Sequence, residues 1–205
     1  MNVGIVIFDD VELLDMAGPY EVFTTAARVH ARGQPTQAPP LFTVGTIARN
    51  RAGVQARAGL HLQPEHTLHD HPPLDCAIVP GGVVDAELHR VELLAWIASQ
   101  AQQARILASV CTGALLLAQA GVLDDLEATT HWEDVAALRA LRPGLRVREG
   151  VRWVDAGAVV TSAGISAGID MSLHLVQRLH SRDLALRTAR QMEFDWSPAQ
   201  GKAGQ

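Results

Sequence analysis

The chain lacks the features that mark several large protein classes. It has only two cysteines, Cys76 and Cys111, in 205 residues, too few for a disulfide framework. Its 17 lysines and arginines are outnumbered by 22 acidic residues, for a formal net charge of −5, and no basic stripe points to nucleic acid. No apolar run is long enough to span a bilayer. We therefore expect neither a nucleic-acid partner nor a membrane partner.

Several common motifs are also missing. There is no G-x-G-x-x-G after a strand, no P-loop and no G-x-S-x-G. Residues 1–8 show no basic segment followed by a small-residue cleavage site, so we expect no secretory signal. A reducing cytoplasm is the expected setting, and it would keep Cys111 as a free thiol.

What is present is an ordinary globular composition, with 48% hydrophobic and 19% charged residues. The length predicts one domain over residues 1–197, with residues 198–205 as a flexible C-terminal tail.

Strand and helix patterns alternate along the chain. Strands are predicted over residues 3–8, 41–48, 76–80, 105–110, 127–130, 145–149, 151–154 and 158–162, with a hairpin over 54–62 around Gly59. Helices are predicted over residues 13–29, 87–102, 114–120, 133–141, 169–179 and 184–194, with Pro19 in the first turn of the first helix proper. This alternation predicts an open, mostly parallel α/β sheet.

Cys111 is the most informative residue. An apolar strand pattern ends at Cys111, Gly113 follows, and the helical run 114–120 is closed by Gly121. A cysteine near a helix N-terminus is favoured as thiolate, the form that attacks electrophilic carbon. The alternative is a small buried hydrophobe, which is our interpretation of Cys76.

Three segments are expected to meet where ligands bind in such sheets, at the carboxyl ends of the strands. They are residues 9–18, 80–82 and 111–113. Asp15, flanked by apolar residues, would have a raised pKa if buried against a thiol, and it would then donate or relay a proton. The alternative for Asp15 is a helix N-cap. Glu12 and Glu21 compete for the acid role, although Glu21 is expected to be solvated.

Gly81 and Gly82 lie at the end of a predicted strand, and because they have no side chains, their backbone can approach a ligand closely. Their N–H groups, with that of Thr112, are candidates to stabilise a developing anion, and the alternative is an ordinary tight turn. The Thr112 hydroxyl would position substrate or bond to its own helix.

Histidines give weaker signals. His131 is interpreted as the cap of the following helix rather than as a base close to Cys111. The run 66–71 contains three histidines, but its spacing fits no zinc motif, and we predict no metal.

Five ordered motifs carry a resemblance to a known family. They lie at residues 14–23, 78–82, 109–118, 128–132 and 162–170. Together they resemble the ThiJ/PfpI superfamily, which is class I glutamine amidotransferase-like, and within it they look most like the isonitrile hydratases. The same motifs occur in the amidase-like domains of AraC-type transcription regulators. The resemblance implies a flavodoxin-like, three-layer α/β/α sandwich that forms a homodimer.

The resemblance also implies an activity. Water would add to an isonitrile to give an N-substituted formamide, without metal or organic cofactor. Cys111 would be the nucleophile and Asp15 the acid or proton relay, while Thr112, Gly81 and Gly82 would line the site of a small electrophilic substrate.

Alternatives remain open at this stage. The family's proteases place a histidine directly after the cysteine, where this chain has Thr112, so a protease is disfavoured. A non-catalytic ligand or redox sensor, related to the regulators' domain, and a glyoxalase-like enzyme acting on α-oxoaldehydes are the other two candidates.

Overall fold

A computed structural model describes residues 1–32, 34–35 and 37–197, and the backbone of 202–203. The strands are β1 (Asn2–Val6), β2 (Thr43–Ala48), β3 (Val54–Gln55), β4 (His61–Leu62), β5 (His66–Thr67), β6 (Cys76–Val79), β7 (Ile106–Val110), β8 (Glu127–Ala128), β9 (Arg146–Val147), β10 (Trp153–Asp155), β11 (Val159–Ser162) and β12 (Lys202–Ala203). The helices are α1 (Leu13–Ala31), α2 (Val91–Gln103), α3 (Gly113–Gln119), α4 (Val135–Leu141), α5 (Ala167–Leu179) and α6 (Arg182–Gln191). Two 3₁₀ turns, Glu87–His89 and Trp132–Asp134, precede α2 and α4.

A mostly parallel sheet forms the middle layer. Its strand order is β12-β10-β11-β7-β6-β1-β2-β5, and only the β10–β11 pair is antiparallel. Helices α1, α5 and α6 pack on one another, and α3 packs on both α2 and α4. These two helix groups flank the sheet, as the predicted three-layer sandwich requires. Strands β6 and β7 are buried at every position, which explains their continuous apolar sequence.

The hairpin over residues 54–62 is confirmed. Strands β3 and β4 pair antiparallel, and Gly59 lies in the connection with φ +90°. Helices are found at all six predicted positions, with boundaries that move by a few residues.

The start of α1 corrects one prediction. The helix begins at Leu13, so Pro19 lies inside it rather than in its first turn. Proline lacks the N–H that would bond the carbonyl of Asp15, and its ring usually clashes with the Cβ of the preceding residue. That residue is Gly18, which has no Cβ, so the helix continues through the proline.

The short strands contain further differences. β5 was not predicted, yet it pairs with β2 as an edge strand. The two β segments around Gly150 separate: β9 pairs with β8 in a small sheet, whereas β10 joins the main sheet. Most of the predicted tail over 198–205 lies outside the described residues, but Lys202–Ala203 pair with β10. None of the described helices is long and apolar enough to cross a membrane.

Helix α3 joins the cysteine turn to the core, so its packing should contribute strongly to stability. We expect Leu117→Ala, at a fully buried position, to lower the free energy of unfolding by about 2–5 kcal/mol. Leu186→Ala on α6, where the side chain is 45% exposed, is the matched control and should cost under about 1 kcal/mol. Urea unfolding measures both, and equal losses would contradict this account of the core.

Candidate functional site

Cys111 occupies a sharp turn between β7 and α3. Its backbone has φ +57°, a left-handed conformation that is uncommon for a residue with a Cβ. Its N–H donates to the carbonyl of Ser162 at 3.2 Å, and the Thr130 hydroxyl donates to its carbonyl at 2.8 Å. A Cβ on Gly113 would lie 2.2 Å from the carbonyl oxygen of Val79, so the helix starts directly against the end of β6. The turn therefore holds the thiol at the carboxyl edge of the sheet.

The predicted meeting of three strand ends is confirmed. Strands β1, β6 and β7 are neighbours in the sheet, and the segments that follow them bring Asp15, Gly81 and Cys111 together. The Gly81 N–H donates to Asp15 Oδ2 at 3.1 Å, and the Cys111 thiol is hydrogen-bonded to the same carboxyl group.

Asp15 is fully buried, and burial raises its pKa to about 6. The hydrogen bonds from Gly81, Cys111 and Ile165 oppose that rise but do not cancel it. The Ile165 N–H reaches Asp15 Oδ1 at 3.1 Å. The expected upward shift is therefore confirmed, and Asp15 is not an N-cap, since Glu12 holds that position. Sequence reasoning missed Ile165, which comes from the distant loop between β11 and α5.

The two competing glutamates lie elsewhere. Glu12 faces the same cavity but is paired with Arg57 at 3.4 Å. Glu21 is largely exposed and pairs with Arg28 at 2.9 Å, as a solvated residue would. Of the three acids, only Asp15 is hydrogen-bonded to the thiol.

The predicted thiolate is wrong for the resting site. Burial and, after it, the negative charge of Asp15 raise the pKa of the Cys111 thiol to about 12, against the smaller opposing effect of the Thr112 N–H. The start of α3 does not outweigh desolvation and a neighbouring carboxylate. Cys111 is thus a thiol that donates to Asp15 at neutral pH. Cys76 is fully buried in β6, as expected of a core residue.

The expectation of free oxyanion donors at Gly81 and Gly82 is also corrected. The Gly81 N–H is used by Asp15, and the Gly82 N–H donates to Thr112 Oγ1 at 2.9 Å. The Thr112 hydroxyl donates in turn to the Gly82 carbonyl at 2.9 Å, rather than bonding to its own helix. A Cβ on Gly81 would lie 2.5 Å from Thr112 Oγ1. The glycine turn therefore fixes Asp15 and Thr112 in place.

A cavity of about 470 Å³ opens above the thiol. Its lining residues are Glu12, Arg57, Gly82, Val83, Val84, Asp85, Leu88, Cys111, Thr112, Leu115, His131, Glu133, Asp134, Ala137, Leu141 and Ile165. The nucleophile candidate thus faces a space large enough for a small organic molecule.

His131 has one predicted role, as a cap, and one that was not predicted, as part of the cavity wall. Its Nδ1 accepts the N–H of Glu133 at 3.4 Å, which confirms the predicted cap. His131 also lines the cavity that Cys111 faces, a position that nothing in the sequence indicated. A Cβ on Gly164 would lie 2.1 Å from the ring, so this glycine makes room for His131.

Two of the three histidines of residues 66–71 have separate partners. His69 pairs with Glu92 at 2.7 Å, and His71 accepts the indole N–H of Trp96 at 2.8 Å. Within the described ranges, no group of three or more histidine, cysteine or acidic side chains is arranged to hold a metal ion.

The contact between Asp15 and Cys111 predicts how the thiol reacts with an alkylating agent. Replacing Asp15 by Asn removes a negative charge that raises the thiol's pKa, so Asp15→Asn should alkylate faster than wild type at pH 8. The rate should rise about tenfold for each unit by which the pKa falls. Iodoacetamide labelling followed by peptide mass spectrometry measures the rate at Cys111. Glu21→Gln is the control with wild-type reactivity, and an unchanged rate in Asp15→Asn would contradict the charge coupling.

Comparison with known proteins places this geometry in a family. The DJ-1/PfpI family profile matches residues 1–178. Isonitrile hydratase of Pseudomonas putida is 36% identical over 200 residues, covering 97% of this chain and 80% of that protein. The HTH-type transcriptional regulator GbdR of Pseudomonas aeruginosa is 32% identical over 90% of this chain, which spans only 48% of the regulator.

Solved structures agree on the fold. A ThiJ/PfpI family protein from Pseudomonas syringae superposes with a TM-score of 0.82 at 27% identity, over 96% of this chain and 76% of that one. An AraC family transcriptional regulator from Pseudomonas putida gives a TM-score of 0.80 at 22% identity, over 93% of this chain and 98% of that chain. The chain belongs to the DJ-1/PfpI family.

Proposed function

We propose that the protein is a cysteine-dependent hydratase that adds water to an isonitrile and releases an N-substituted formamide. The observation that carries the proposal is the pair formed by Cys111, which lines the cavity, and the fully buried Asp15 bonded to its thiol. An isonitrile carbon must gain both a nucleophile and a proton, and a thiol hydrogen-bonded to a carboxylate supplies both. The 36% identity to isonitrile hydratase across 97% of the chain supports the same reaction.

The first half of the reaction forms a bond to sulfur. Asp15, ionised above its pKa of about 6, takes the thiol proton as the Cys111 sulfur attacks the isonitrile carbon. Asp15 then passes that proton to the same carbon. The product is a thioimidate, R–N=CH–S–Cys111, which contains all the atoms of the isonitrile and the thiol.

The second half consumes one water molecule. Water adds to the thioimidate carbon, and one of its protons reaches the nitrogen. The C–S bond then breaks as the new hydroxyl group becomes the formamide carbonyl, and the proton lost from oxygen returns to sulfur through Asp15. The sum is R–NC + H₂O → R–NH–CHO, with the enzyme restored.

A second candidate is a ligand sensor without turnover. The 32% identity to a transcriptional regulator over 90% of the chain favours it. The redox form of this idea is disfavoured, because oxidation proceeds through thiolate and burial raises the pKa of Cys111 to about 12. Tight binding of an isonitrile with no formamide formed would favour the sensor. Turnover of methylglyoxal but not of isonitriles would favour the glyoxalase-like alternative.

The homodimer and the cytoplasmic setting stay predictions. Sedimentation equilibrium of the purified chain tests the first, and fractionation of the host cells tests the second.

The direct test of the proposed activity is formamide production from an alkyl isonitrile. Wild type should turn over, and Cys111→Ala should form no formamide above the uncatalysed rate, because the attacking sulfur is gone. Cys76→Ala removes the other cysteine, which is buried in β6, and should keep most of the activity. If folded, reduced wild-type protein gives no formamide, the hydratase proposal is wrong.

The role of Asp15 predicts a pH profile. Because the thiol proton must pass to an ionised carboxylate, kcat/KM should rise with pH through about 6 and then level off. Asp15→Asn should lower kcat/KM by about 10²–10⁴-fold and abolish that rise, whereas Glu21→Gln should retain both rate and profile. Near-normal turnover in Asp15→Asn would remove Asp15 from the mechanism.

A further inference from the structure

The cavity above Cys111 has an excess of negative charge in its wall. The ionisable side chains that line it, apart from Cys111 itself, are Glu12, Asp85, Glu133, Asp134, Arg57 and His131. Glu12 and Arg57 form an ion pair and compensate each other. In the described part of the chain, no lysine or arginine nitrogen lies within 4 Å of the other three carboxylates, and His131 is a basic neighbour of Glu133 and Asp134 alone.

His131 does not balance these charges. Its Nδ1 accepts the Glu133 N–H at 3.4 Å. Nδ1 also lies 3.7 Å from Glu133 Oε2 and 3.5 Å from Asp134 Oδ2, so a protonated ring would compensate one of the two. Even then, two of the three carboxylates would remain uncompensated.

The field of these groups reaches the reacting atoms. Acidic residues at the start of a helix are favourable for the helix itself, which accounts for Glu133 and Asp134 in the turn before α4. Their charge nevertheless acts on anything in the cavity. The negative charge of Asp134 contributes to raising the pKa of Cys111, after burial and the effect of Asp15.

Apart from Gly82 and Thr112, the rest of the wall is apolar. Val84, Leu88, Leu115 and Leu141 are among the residues that line it, and no lysine of the described part of the chain does. A neutral or cationic body therefore fits this cavity, whereas an anion would meet uncompensated like charges.

We propose that this cavity selects an isonitrile whose small apolar body carries a positive charge, such as an ammonium group. The inference rests on the proposed function, because it takes the substrate to be an isonitrile that reacts with Cys111. The carboxylates of the cavity wall then favour a substrate of positive charge. A cation bound there would also lower the pKa of Cys111 and ease transfer of the thiol proton to Asp15. Substrate charge would then assist the chemistry as well as binding.

Three isonitriles of similar size test the proposal. They are 2-(trimethylammonio)ethyl isocyanide, its neutral isostere 3,3-dimethylbutyl isocyanide, and the anion 3-isocyanopropanoate. With each of the three uncompensated carboxylates contributing about twofold, kcat/KM for the cation should exceed that for the neutral isostere by about eightfold at about 20 mM salt. The ratio should fall at about 300 mM salt, and the anion should be the poorest substrate.

Variants assign the effect to named residues. The double variant Asp85→Asn/Glu133→Gln should lower the cation-to-neutral ratio about fourfold. Asp183→Asn removes an exposed carboxylate on α6 that pairs with Arg187, and it should leave the ratio at its wild-type value. A ratio that falls equally in both variants would mean that overall charge, rather than the cavity wall, sets the preference, and this would overturn the assignment.

The outcomes separate the two proposals. Turnover of all three compounds without preference for the cation, or with preference for the anion, overturns charge selection and leaves the hydratase function standing. No turnover of any compound overturns the hydratase function. Calorimetry with the cationic and neutral formamide products then tests the cavity alone, and equal dissociation constants would overturn its charge selection too.

Discussion

The site depends on one buried carboxylate. Asp15 has no solvent-exposed surface, and keeping it ionised there is costly unless hydrogen bonds replace the lost water. The three donors are the N–H of Gly81, the N–H of Ile165 and the thiol of Cys111. They follow three different strands, so the carboxylate is stabilised only when the sheet has its native order. The geometry of the site is therefore a consequence of the fold rather than of any local motif.

That contact also decides what kind of chemistry the cysteine can do. A thiol whose pKa is raised to about 12 is a poor general nucleophile and a slow target for peroxide. In the proposed reaction it becomes reactive when a substrate accepts both sulfur and proton, with Asp15 moving that proton. Such a thiol favours a reaction in which sulfur and a proton add to the same carbon over reaction with electrophiles in general.

Sequence reasoning located the candidate site and predicted the raised pKa of Asp15, but it did not predict the protonation of Cys111. The buried strands and the meeting of their ends follow from continuous apolar runs at 76–80 and 105–110 and from α/β alternation. The protonation of Cys111 depends on burial and on a charge from a segment about a hundred residues away, which no local pattern encodes. The same holds for Ile165 and His131, which reach the cavity from loops after β11 and β8. The occupied N–H groups of Gly81 and Gly82 became visible only with the side chains of Asp15 and Thr112 in place.

Backbone strain at the site also involves the residues that bond to Asp15. Cys111 and Ile165 both adopt left-handed backbone conformations, with φ of +57° and +53°. Such conformations cost on the order of 1 kcal/mol each for residues with a Cβ, and glycine would avoid that cost. The proposed reaction needs the sulfur of the cysteine, and its left-handed turn lets the thiol face Asp15 while its own N–H and carbonyl stay bonded to Ser162 and Thr130. Ile165 has the same conformation. Its N–H donates to Asp15, and the residue lines the cavity. Both strained residues therefore act on the one carboxylate, and the surrounding hydrogen bonds and core packing offset the strain that this requires.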